Sequence, residues 1–376
     1  MAFKKQRMVK QDKDLIEDLV KISKYFGQRF DLIQAAGGNS SIKINKRMFI
    51  KSSGYSLSEV ELKNGYSVLR NDKLTNFLYK IKNYIVNSRI EKKSFHILKD
   101  SIIKGDNPSI ETFSHSILKK FTIHLHPIAS NIISVNRESK IFFNQIFSKE
   151  ISDGIIFYIK YRTPGIALAT EITNHLLPYD EKIKMNKSVV LFLENHGLIC
   201  SSDDKKELIK SVERIMKKFE NFLNIDLKRY KFTTKISKVL WEQNYKNLVS
   251  YYSEDLILNN FLKSKNLDKT LKPLNPDGLL YCGESPLIVR GPLEKNILSY
   301  IKKFHTYPRV VITGKNIYFV APNVLKAREI EDVFKSHLYF DHYGETKRPL
   351  LKKHIKKLDS YNPQKNRLRF WFDYDK

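Results

Sequence analysis

The chain has 376 residues, a hydrophobic content of 41% and an aromatic content of 12%, values that are typical of a folded protein and exclude a disordered one. No apolar run approaches the length of a membrane span, and the charged start of the chain is not followed by an apolar signal core. We therefore expect a cytoplasmic protein with no membrane partner. The cysteines, Cys200 and Cys282, are too few for a disulfide framework.

The net charge of +27, from 67 lysines and arginines against 40 acidic residues, raises the question of a nucleic-acid-binding protein. The basic residues are spread along the whole chain, and no motif that reads RNA or DNA accompanies them. We therefore favour a generally solvated basic surface over a nucleic-acid partner. A salt-dependent DNA-binding titration separates these two interpretations.

The first predicted helix covers 14–26, where apolar residues recur at helical spacing before Gly27. Small residues follow at 35–41, then a hairpin at 42–50, then a second small-residue turn at 51–54. Two such turns at the ends of one hairpin can bring backbone N–H groups and hydroxyls together as an anion-binding nest. Neither turn matches a nucleotide-binding fingerprint, and each alone is also typical of an ordinary turn.

A carboxylate suited to acid/base chemistry follows a lysine-rich stretch at 61–106, which we expect to mix helix with loops. Asn107 or Ser109 can cap a helix whose first turn carries Glu111, and the i, i+4 spacing puts His115 on the same helix face. Beside a divalent metal, Glu111 can move a proton to or from a bound substrate. Alternatively, Glu111 only interacts favourably with the positive end of the helix.

Three histidines lie in two strand contexts. His124 and His126 alternate with apolar residues in the period of a β-strand, so both side chains leave the same face. His196 follows a second apolar run at 189–193, and Gly197 after it lets the backbone turn. If these two strands lie side by side, three imidazoles can hold one metal ion and leave a position open, as in catalytic zinc sites. A lone pair of histidines on a strand is more often a surface or core feature, so Glu111 is what favours the metal site.

The later elements complete the predicted architecture. We expect a strand at 154–161, a helix from 164 towards 178, an amphipathic helix at 203–223, and strands at 310–312 and 317–320 followed by a helix. Short antiparallel strands with helices on both faces fit an α/β fold, a three-layer αβα sandwich with a mainly antiparallel central sheet and a smaller C-terminal α/β extension. The predicted divisions are a catalytic domain at 1–225, a helical connector at 226–270 and the extension at 271–376.

Taken in order, six motifs resemble the class II aldolase/adducin family, the zinc-dependent sugar aldolases and their relatives. They are GGNSS at 37–41, IKSSG at 50–54, PSIE at 108–111, HLHP at 124–127, RTPG at 162–165 and NHGL at 195–198. The resemblance covers 13–225, and the order of six motifs is far more specific than any one of them. It implies the class II aldolase fold, Zn²⁺ or another divalent metal on His124, His126 and His196, and an acid/base role for Glu111.

The resemblance also implies that the turns hold a substrate phosphate. The residues that correspond are Gly38, Asn39, Ser53, Gly54 and, from the helix start, Ser109. Two positions depart from the relatives that cleave fuculose phosphate, which carry a second serine at the position of Ile110 and a non-basic residue at that of Lys51. Lys51 can supply a point charge to a phosphate or carboxylate, so we expect an anionic substrate whose identity does not follow.

The activity that the resemblance implies is a carbon–carbon lyase, a zinc-dependent aldolase that acts on a sugar or ketose phosphate through a metal-stabilised enediolate. The region 275–337 resembles the segment that follows the aldolase part of rhamnulose-1-phosphate aldolase/dehydrogenase-type proteins. No Rossmann glycine fingerprint is present in the chain, so only the lyase half is expected. The resemblance further implies a small-molecule sugar or sugar-phosphate substrate and a homo-oligomer, commonly a tetramer with the site at a subunit boundary.

Other activities remain open on the same scaffold. An epimerase, a dehydratase or a decarboxylase would use the same metal and the same glutamate. A non-catalytic adducin-like module and a nucleic-acid-binding module are further alternatives. The presence of Glu111 and of all three histidines, His124, His126 and His196, favours an enzyme over the adducin-like module.

Overall fold

The computed structural model describes residues 2–263, 272–344, 348–360 and 368. The chain forms two compact units, Met1–Leu227 and Lys228–Lys376, so the first unit ends two residues after the predicted boundary at 225. None of the helices in the described ranges is long and apolar enough to cross a bilayer.

The first unit is built on an eight-stranded sheet. In chain order its strands are β1 (Asn39–Ile44), β2 (Arg47–Lys51), β3 (Tyr66–Arg70), β4 (Ile102–Lys104), β5 (Phe121–Leu125), β6 (Ile156–Ile159), β7 (Ser188–Leu193) and β8 (Gly197–Ser202). Their order across the sheet is β4-β3-β2-β1-β5-β8-β7-β6. Neighbouring strands are antiparallel except for β6 and β7. The predicted mainly antiparallel sheet is confirmed.

Helices cover both faces of this sheet. They are α1 (Ala2–Gly27), α2 (Asn71–Ile81), α3 (Ser88–Ser101), α4 (Thr112–Ser116), α5 (Ile128–Ser134), α6 (Ser139–Ser152), α7 (Ile166–Leu176), α8 (Asp180–Met185) and α9 (Lys205–Leu223). Helices α2, α4 and α7 share one core with the sheet, while α1, α6 and α9 pack against the other face. The unit is therefore the α/β three-layer αβα sandwich that the sequence predicts.

Strand β7 shows why the central strands are apolar throughout. Leu191 and Leu193 are buried under α7, whereas Phe192, between them, contacts the rings of Phe143 on α6 and Phe219 on α9. Alternate side chains of a strand point to opposite faces, and both faces here are covered by helices. A strand buried on both sides must be apolar at every position, which explains the continuous run at 189–193.

Two features of the sheet differ from the sequence prediction. The stretch 61–106 contains strands β3 and β4 as well as helices, because α2 and α3 are inserted into a β3–β4 hairpin. These strands are short, and β4 is largely exposed, so they carry no alternating pattern. The prediction that the run 189–193 lies directly beside 121–125 is wrong, since β8 lies between β7 and β5. The strand that pairs with β5 therefore follows His196 instead of preceding it.

The second unit has a four-stranded sheet in the order β10-β11-β12-β9. The strands are β9 (Val249–Tyr252), β10 (Leu287–Ile288), β11 (Val310–Thr313) and β12 (Asn316–Ala321), and the helices are α10 (Lys228–Glu242), α11 (Leu256–Lys263), α12 (Leu293–Phe304), α13 (Val324–Tyr343) and α14 (Lys352–Ser360). Helices α10 and α12 cover one sheet face, and α11 and α13 cover the other. The predicted strands at 310–312 and 317–320 and the helix after them are present.

The predicted helical connector at 226–270 differs from the structure. From 228 to 263 the chain forms α10, β9 and α11, and β9 pairs with β12 as an edge strand of the second sheet. This segment is thus part of the second unit, and its remainder at 264–270 lies outside the described residues. A four-residue edge strand has too short a pattern to be distinguished from its helical surroundings by periodicity.

The aromatic packing around Phe192 generates a stability prediction. Phe192 is fully buried, and its ring centroid lies 5.1 Å from that of Phe143 and 5.6 Å from that of Phe219. Because Phe192→Ala removes these contacts and leaves a cavity, we expect the free energy of unfolding to fall by about 3–5 kcal/mol. Urea denaturation measures this change.

Met185→Ala, at a side chain that is 85% exposed, is the control and should change the free energy of unfolding by less than about 0.5 kcal/mol. A loss below about 1 kcal/mol for Phe192→Ala would contradict this packing.

Candidate metal centre

The site is assembled around β5, which lies in the middle of the sheet between β1 and β8. In the two ladders His124 is opposite Asn39 on β1 and opposite Ile199 on β8. Residues opposite each other in antiparallel strands point to the same face. Ile199 belongs to the core under α7, so His124 and Asn39 project towards the layer that contains α4 and α7.

The three predicted histidines come together at the end of β5. One ring nitrogen from each of His124, His126 and His196 lies within 4.8 Å of the others. The ring centroids of His124 are 4.8 Å from those of both His126 and His196, and the Nε2 atoms of His124 and His126 are 3.0 Å apart. Two ring nitrogens at that distance repel each other unless a proton or a cation lies between them. The arrangement therefore provides three converging donor atoms.

All three imidazoles are held in the neutral form. Burial lowers the pKa of His124 to about 3 and that of His196 to about 4, and it also lowers the pKa of His126. The Nδ1–H of His124 donates to the main-chain oxygen of Leu198 at 3.2 Å, which leaves Nε2 with its lone pair free. A neutral imidazole whose second nitrogen donates to a carbonyl is the usual form of a metal-ligating histidine.

His196 is positioned by the tight turn between β7 and β8. Asn195 adopts a left-handed conformation at φ 51°, which asparagine tolerates better than most residues. Glu194 accepts hydrogen bonds from the Tyr158 hydroxyl at 2.6 Å and from the Tyr161 N–H at 3.0 Å, and the Asn131 side chain donates to the His196 carbonyl at 3.2 Å. These contacts fix the turn from both sides.

His126 lies between two glycines. A Cβ atom at Gly37 would be 3.0 Å from its Nδ1, and one at Gly197 would be 2.9 Å from its Cδ2 and would overlap the Leu125 carbonyl oxygen. The His126 main-chain N–H donates to Leu32 at 3.1 Å. A side chain at either position would therefore crowd the His126 ring, and at Gly197 it would also overlap the neighbouring strand.

Glu111 faces the histidines directly. It lies at the start of α4, is only 8% exposed, and its Oε1 is 3.3 Å from His196 Nε2 and 3.5 Å from His124 Nε2. The Asn39 amide donates to the other carboxylate oxygen at 2.9 Å. Burial raises the pKa of Glu111, an effect opposed by the nearby His196, His126 and Lys51. A buried carboxylate with a raised pKa can hold a proton at the edge of the site.

The two predicted anion-binding turns are brought to the same region. Asn39 of the first turn contacts Glu111, and Ser53 of the second turn donates its main-chain N–H to Asn107 at 2.8 Å, next to Ser109. The Ser109 hydroxyl accepts from the Glu111 N–H at 3.3 Å. Gly38 and Gly54 have positive φ angles of 68° and 88°, which glycine adopts without strain. Ser53 and Gly54 are exposed, so the Ser53 hydroxyl and the Gly54 main-chain N–H are accessible from solvent.

The predicted anion-binding Lys51 takes a different position. Its side chain is 2% exposed, and its ammonium donates to the carbonyl oxygens of Ala36, Ser52 and Tyr55 at 3.3, 3.3 and 2.7 Å. Burial lowers the pKa of Lys51 to about 8, against the opposing effect of Glu111 and Glu59. The side chain thus lies beneath both turns.

The residues fit a divalent metal ion. Three neutral imidazoles converge, and Glu111 Oε1, although buried, has no hydrogen-bond partner among the described residues. An unsatisfied buried carboxylate oxygen costs free energy unless a cation or a proton compensates it. Zn²⁺ accepts nitrogen and carboxylate ligands, and three protein imidazoles with an open position form a known type of catalytic zinc site.

Some supporting residues carry no signal in the sequence. Asn131 and Tyr158 act on the histidine turn from α5 and β6, and nothing in their local sequence marks them. The sequence marks Gly197 only as a residue that lets the backbone turn, whereas the structure shows that it also leaves space for the Leu125 carbonyl and the His126 ring. Such contacts depend on which elements are neighbours in space, and the sequence does not show that.

The fold and the donor set match a class II aldolase type of scaffold, and the comparison with a family model agrees. The family model described as the class II aldolase and adducin N-terminal domain matches residues 17–223, which is more than half of the chain. The chain belongs to the class II aldolase and adducin family, as its six motifs predict. No curated protein sequence matches it.

Several solved structures are similar to the first unit. The N-terminal class II aldolase domain of a conserved protein from Thermoplasma acidophilum is 25% identical, with 55% of this chain and 92% of that chain covered and a TM-score of 0.44. A sugar-phosphate aldolase from Thermotoga maritima is 14% identical, with 57% and 95% covered and a TM-score of 0.42. An L-fuculose-1-phosphate aldolase from Thermus thermophilus is 13% identical, with 56% and 94% covered and a TM-score of 0.34.

The space around His126 generates a prediction about metal affinity. Gly197→Ala places a methyl group against the His126 ring and the Leu125 carbonyl, so the ring must move away from His124 and His196. We expect the affinity for Zn²⁺ to fall by about 10–100-fold, as when other supports of metal ligands are removed. Competition with a chelating dye measures this change. Gly314→Ala is the control: its β-carbon has nothing within 4 Å, and its φ of 57° adds backbone strain without a steric contact. Unchanged zinc affinity in Gly197→Ala would contradict the steric role.

Proposed function

We propose that this protein is a zinc-dependent class II aldolase that cleaves or forms a carbon–carbon bond in a sugar or ketose phosphate. One observation carries the proposal. The buried Glu111 oxygen that lacks a hydrogen-bond partner among the described residues lies 3.3 Å from His196 and 3.5 Å from His124, within the group of three neutral imidazoles. A structural metal site has no need for an unsatisfied carboxylate beside it, whereas an acid/base reaction at a metal-bound substrate does.

His124, His126 and His196 are the residues that would hold the ion. When bound, zinc supplies a Lewis acid that stabilises negative charge developing on substrate oxygen. The protein contributes the neutral state of the three rings, which lets them act as ligands without first losing a proton. The hydrogen bond from His124 to Leu198 fixes which nitrogen faces the ion.

Glu111 moves the proton. Cleavage of a ketose carbon–carbon bond removes a proton from a hydroxyl group, converts that carbon to an aldehyde, and adds a proton to the carbon that keeps the bonding electron pair. Because burial raises the pKa of Glu111, its carboxyl group can hold a proton and deliver it to that carbon, and can remove it again in the condensing direction. Asn39 orients the carboxylate by donating to Oε2, the oxygen other than the one that contacts His124 and His196.

The two turns hold the anionic end of the substrate. The residues assigned to this role are Gly38, Asn39, Ser53, Gly54 and Ser109. Asn39 and Ser109 contact Glu111, and the exposed Ser53–Gly54 turn offers the Ser53 hydroxyl and the Gly54 main-chain N–H. A phosphate held there would leave the carbon chain between the turns and the histidines. We also propose that the protein acts as a homo-oligomer, as the family resemblance implies.

Metal analysis tests the proposed centre. We expect stoichiometric divalent metal in the purified wild-type protein and its loss in His196→Ala, because two imidazoles hold zinc much more weakly than three. Elemental analysis after extensive dialysis measures both. His175→Ala, on the partly exposed α7, is the matched control and should retain the metal. Wild-type protein prepared without chelators and free of divalent metal would contradict the proposal.

A screen of ketose 1-phosphates for triose phosphate release tests the reaction. Metal-loaded protein that releases no triose phosphate from any of them would shift the assignment to an epimerase or dehydratase on the same site. A coupled assay that reduces the triose phosphate detects cleavage, and chromatography of the same mixtures detects epimerised or dehydrated sugar.

Glu111→Gln tests the proton transfer. The amide keeps the shape of the side chain but cannot carry the proton, so we expect turnover to fall by about 10²–10⁴-fold. Zinc content should stay stoichiometric, since the three histidines are unchanged. Steady-state kinetics and elemental analysis of one preparation measure both quantities. Retention of most of the activity would exclude Glu111 as the acid/base group.

A further inference from the structure

Lys51 joins the two turns that the proposed function assigns to the anionic end of the substrate. Its ammonium donates to Ala36 O in the first turn, at 35–41. It also donates to Ser52 O in the second turn, at 51–54, and to Tyr55 O directly after that turn. In the sequence, Ala36 lies 15 residues from Lys51, whereas Tyr55 lies four residues from it. Apart from the β1–β2 hairpin itself, the ammonium is therefore a direct bridge between the two turns.

The geometry is not that of a substrate ligand. A lysine ammonium has three N–H donors, and three main-chain carbonyl oxygens accept from this one. The side chain is 2% exposed, so a bound anion would meet the turns before it met the ammonium. A buried charge without acceptors would be costly, and the three carbonyls reduce that cost.

The ammonium still acts electrostatically on the site. Its positive charge opposes the rise in the pKa of Glu111 and contributes to the lowered pKa of His124. Lys51 is therefore close enough to influence the metal centre without contacting it. A single positive charge beneath two donor-rich turns also favours an anion above them.

We propose that Lys51 is a positioning residue that locks the Ala36 and Ser53–Gly54 turns at the spacing needed to bind a phosphate group between them. The inference rests on the proposed anion site and adds the element that organises it. Pre-organised donors bind an anion more tightly because less conformational entropy is lost on binding. Without the ammonium, the contacts that still connect the two turns run through the hairpin and through the segment 107–111, which bonds to Asn39 and to Ser53.

The test compares Lys51→Met with wild type, using inorganic phosphate as the probe in titration calorimetry. We expect the dissociation constant for phosphate to rise by about tenfold or more, the scale of one hydrogen bond to a charged group. Zinc content should not change. Hydrogen–deuterium exchange should increase in peptides that cover both 34–41 and 52–60. Lys51→Arg, which keeps the charge and donors, should give phosphate binding between those of Lys51→Met and wild type.

Lys43→Met is the matched control. Lys43 also lies on the hairpin strands, and its ammonium donates to His115 O at 2.8 Å and to the Thr122 hydroxyl at 3.2 Å, acceptors that lie in neither turn. We expect its phosphate affinity and the exchange of both turns to stay close to wild type. Equal losses of phosphate affinity in Lys43→Met and Lys51→Met would overturn the inference, because they would reflect general destabilisation.

The remaining outcomes separate this inference from the proposed function. Phosphate binding by Lys51→Met within twofold of wild type, or increased exchange in one turn only, overturns the role of Lys51. Wild-type protein that binds zinc and phosphate but cleaves no ketose phosphate overturns the proposed reaction and leaves the role of Lys51 supported. If Lys51→Met does not fold, Lys51→Arg decides. A phosphate affinity below that of wild type together with increased exchange at both turns supports the role of Lys51, and a lower affinity with both turns as protected as in wild type overturns it.

Discussion

The antiparallel register at His124 is the constraint on which the rest of the site depends. His124 is opposite Asn39 on one side and Ile199 on the other, and its ring bonds to the carbonyl of Leu198. Asn39 in turn orients Glu111. Because side chains alternate with a period of two along each strand, a shift of one residue in either ladder would move Asn39 or Leu198 out of reach. One register thus sets the position of the proposed metal ligand His124, its tautomer and the orientation of the proposed acid/base group.

Burial then gives these groups their chemistry. The same low-polarity environment lowers the pKa values of the three histidines and raises that of Glu111, so the site tends towards uncharged groups. A cation introduced there would meet three neutral donors and a carboxylate oxygen with no other partner among the described residues. Groups with incomplete interactions lower the free energy of unfolding, and such groups are typical of functional sites.

Close backbone approach completes the arrangement. Gly37 and Gly197 come from distant parts of the chain and border the two sides of the His126 ring, while a buried lysine connects the turns below. The rigid part of the site is the sheet, and the exposed part is the Ser53–Gly54 turn. The strands place His124 and Asn39, whereas Ser53 and Gly54, two of the donors proposed for the anion, lie on a loop, where variation in the substrate can be accommodated.

The sequence by itself determined the family, the kind of fold and the candidate chemical groups. The histidine pair at 124 and 126, the later His196, Glu111 and the two small-residue turns are each local patterns, and local patterns depend only on strand alternation, turn chemistry and motif order. Their convergence was an inference from the family resemblance, and the structure brings them together.

Only the tertiary structure decided how these groups are held. Strand order is set by pairings between distant segments, so the position of β8 between β5 and β7 could not be derived from the pattern of either histidine strand. The same holds for Asn131 and Tyr158, which support the histidine turn from other elements, and for β9, whose place in the second sheet is set by β12. Lys51 shows the reason most clearly. The sequence shows that this side chain is charged. Whether the ammonium faces a substrate or three carbonyl oxygens depends on the side of the sheet on which the side chain is buried.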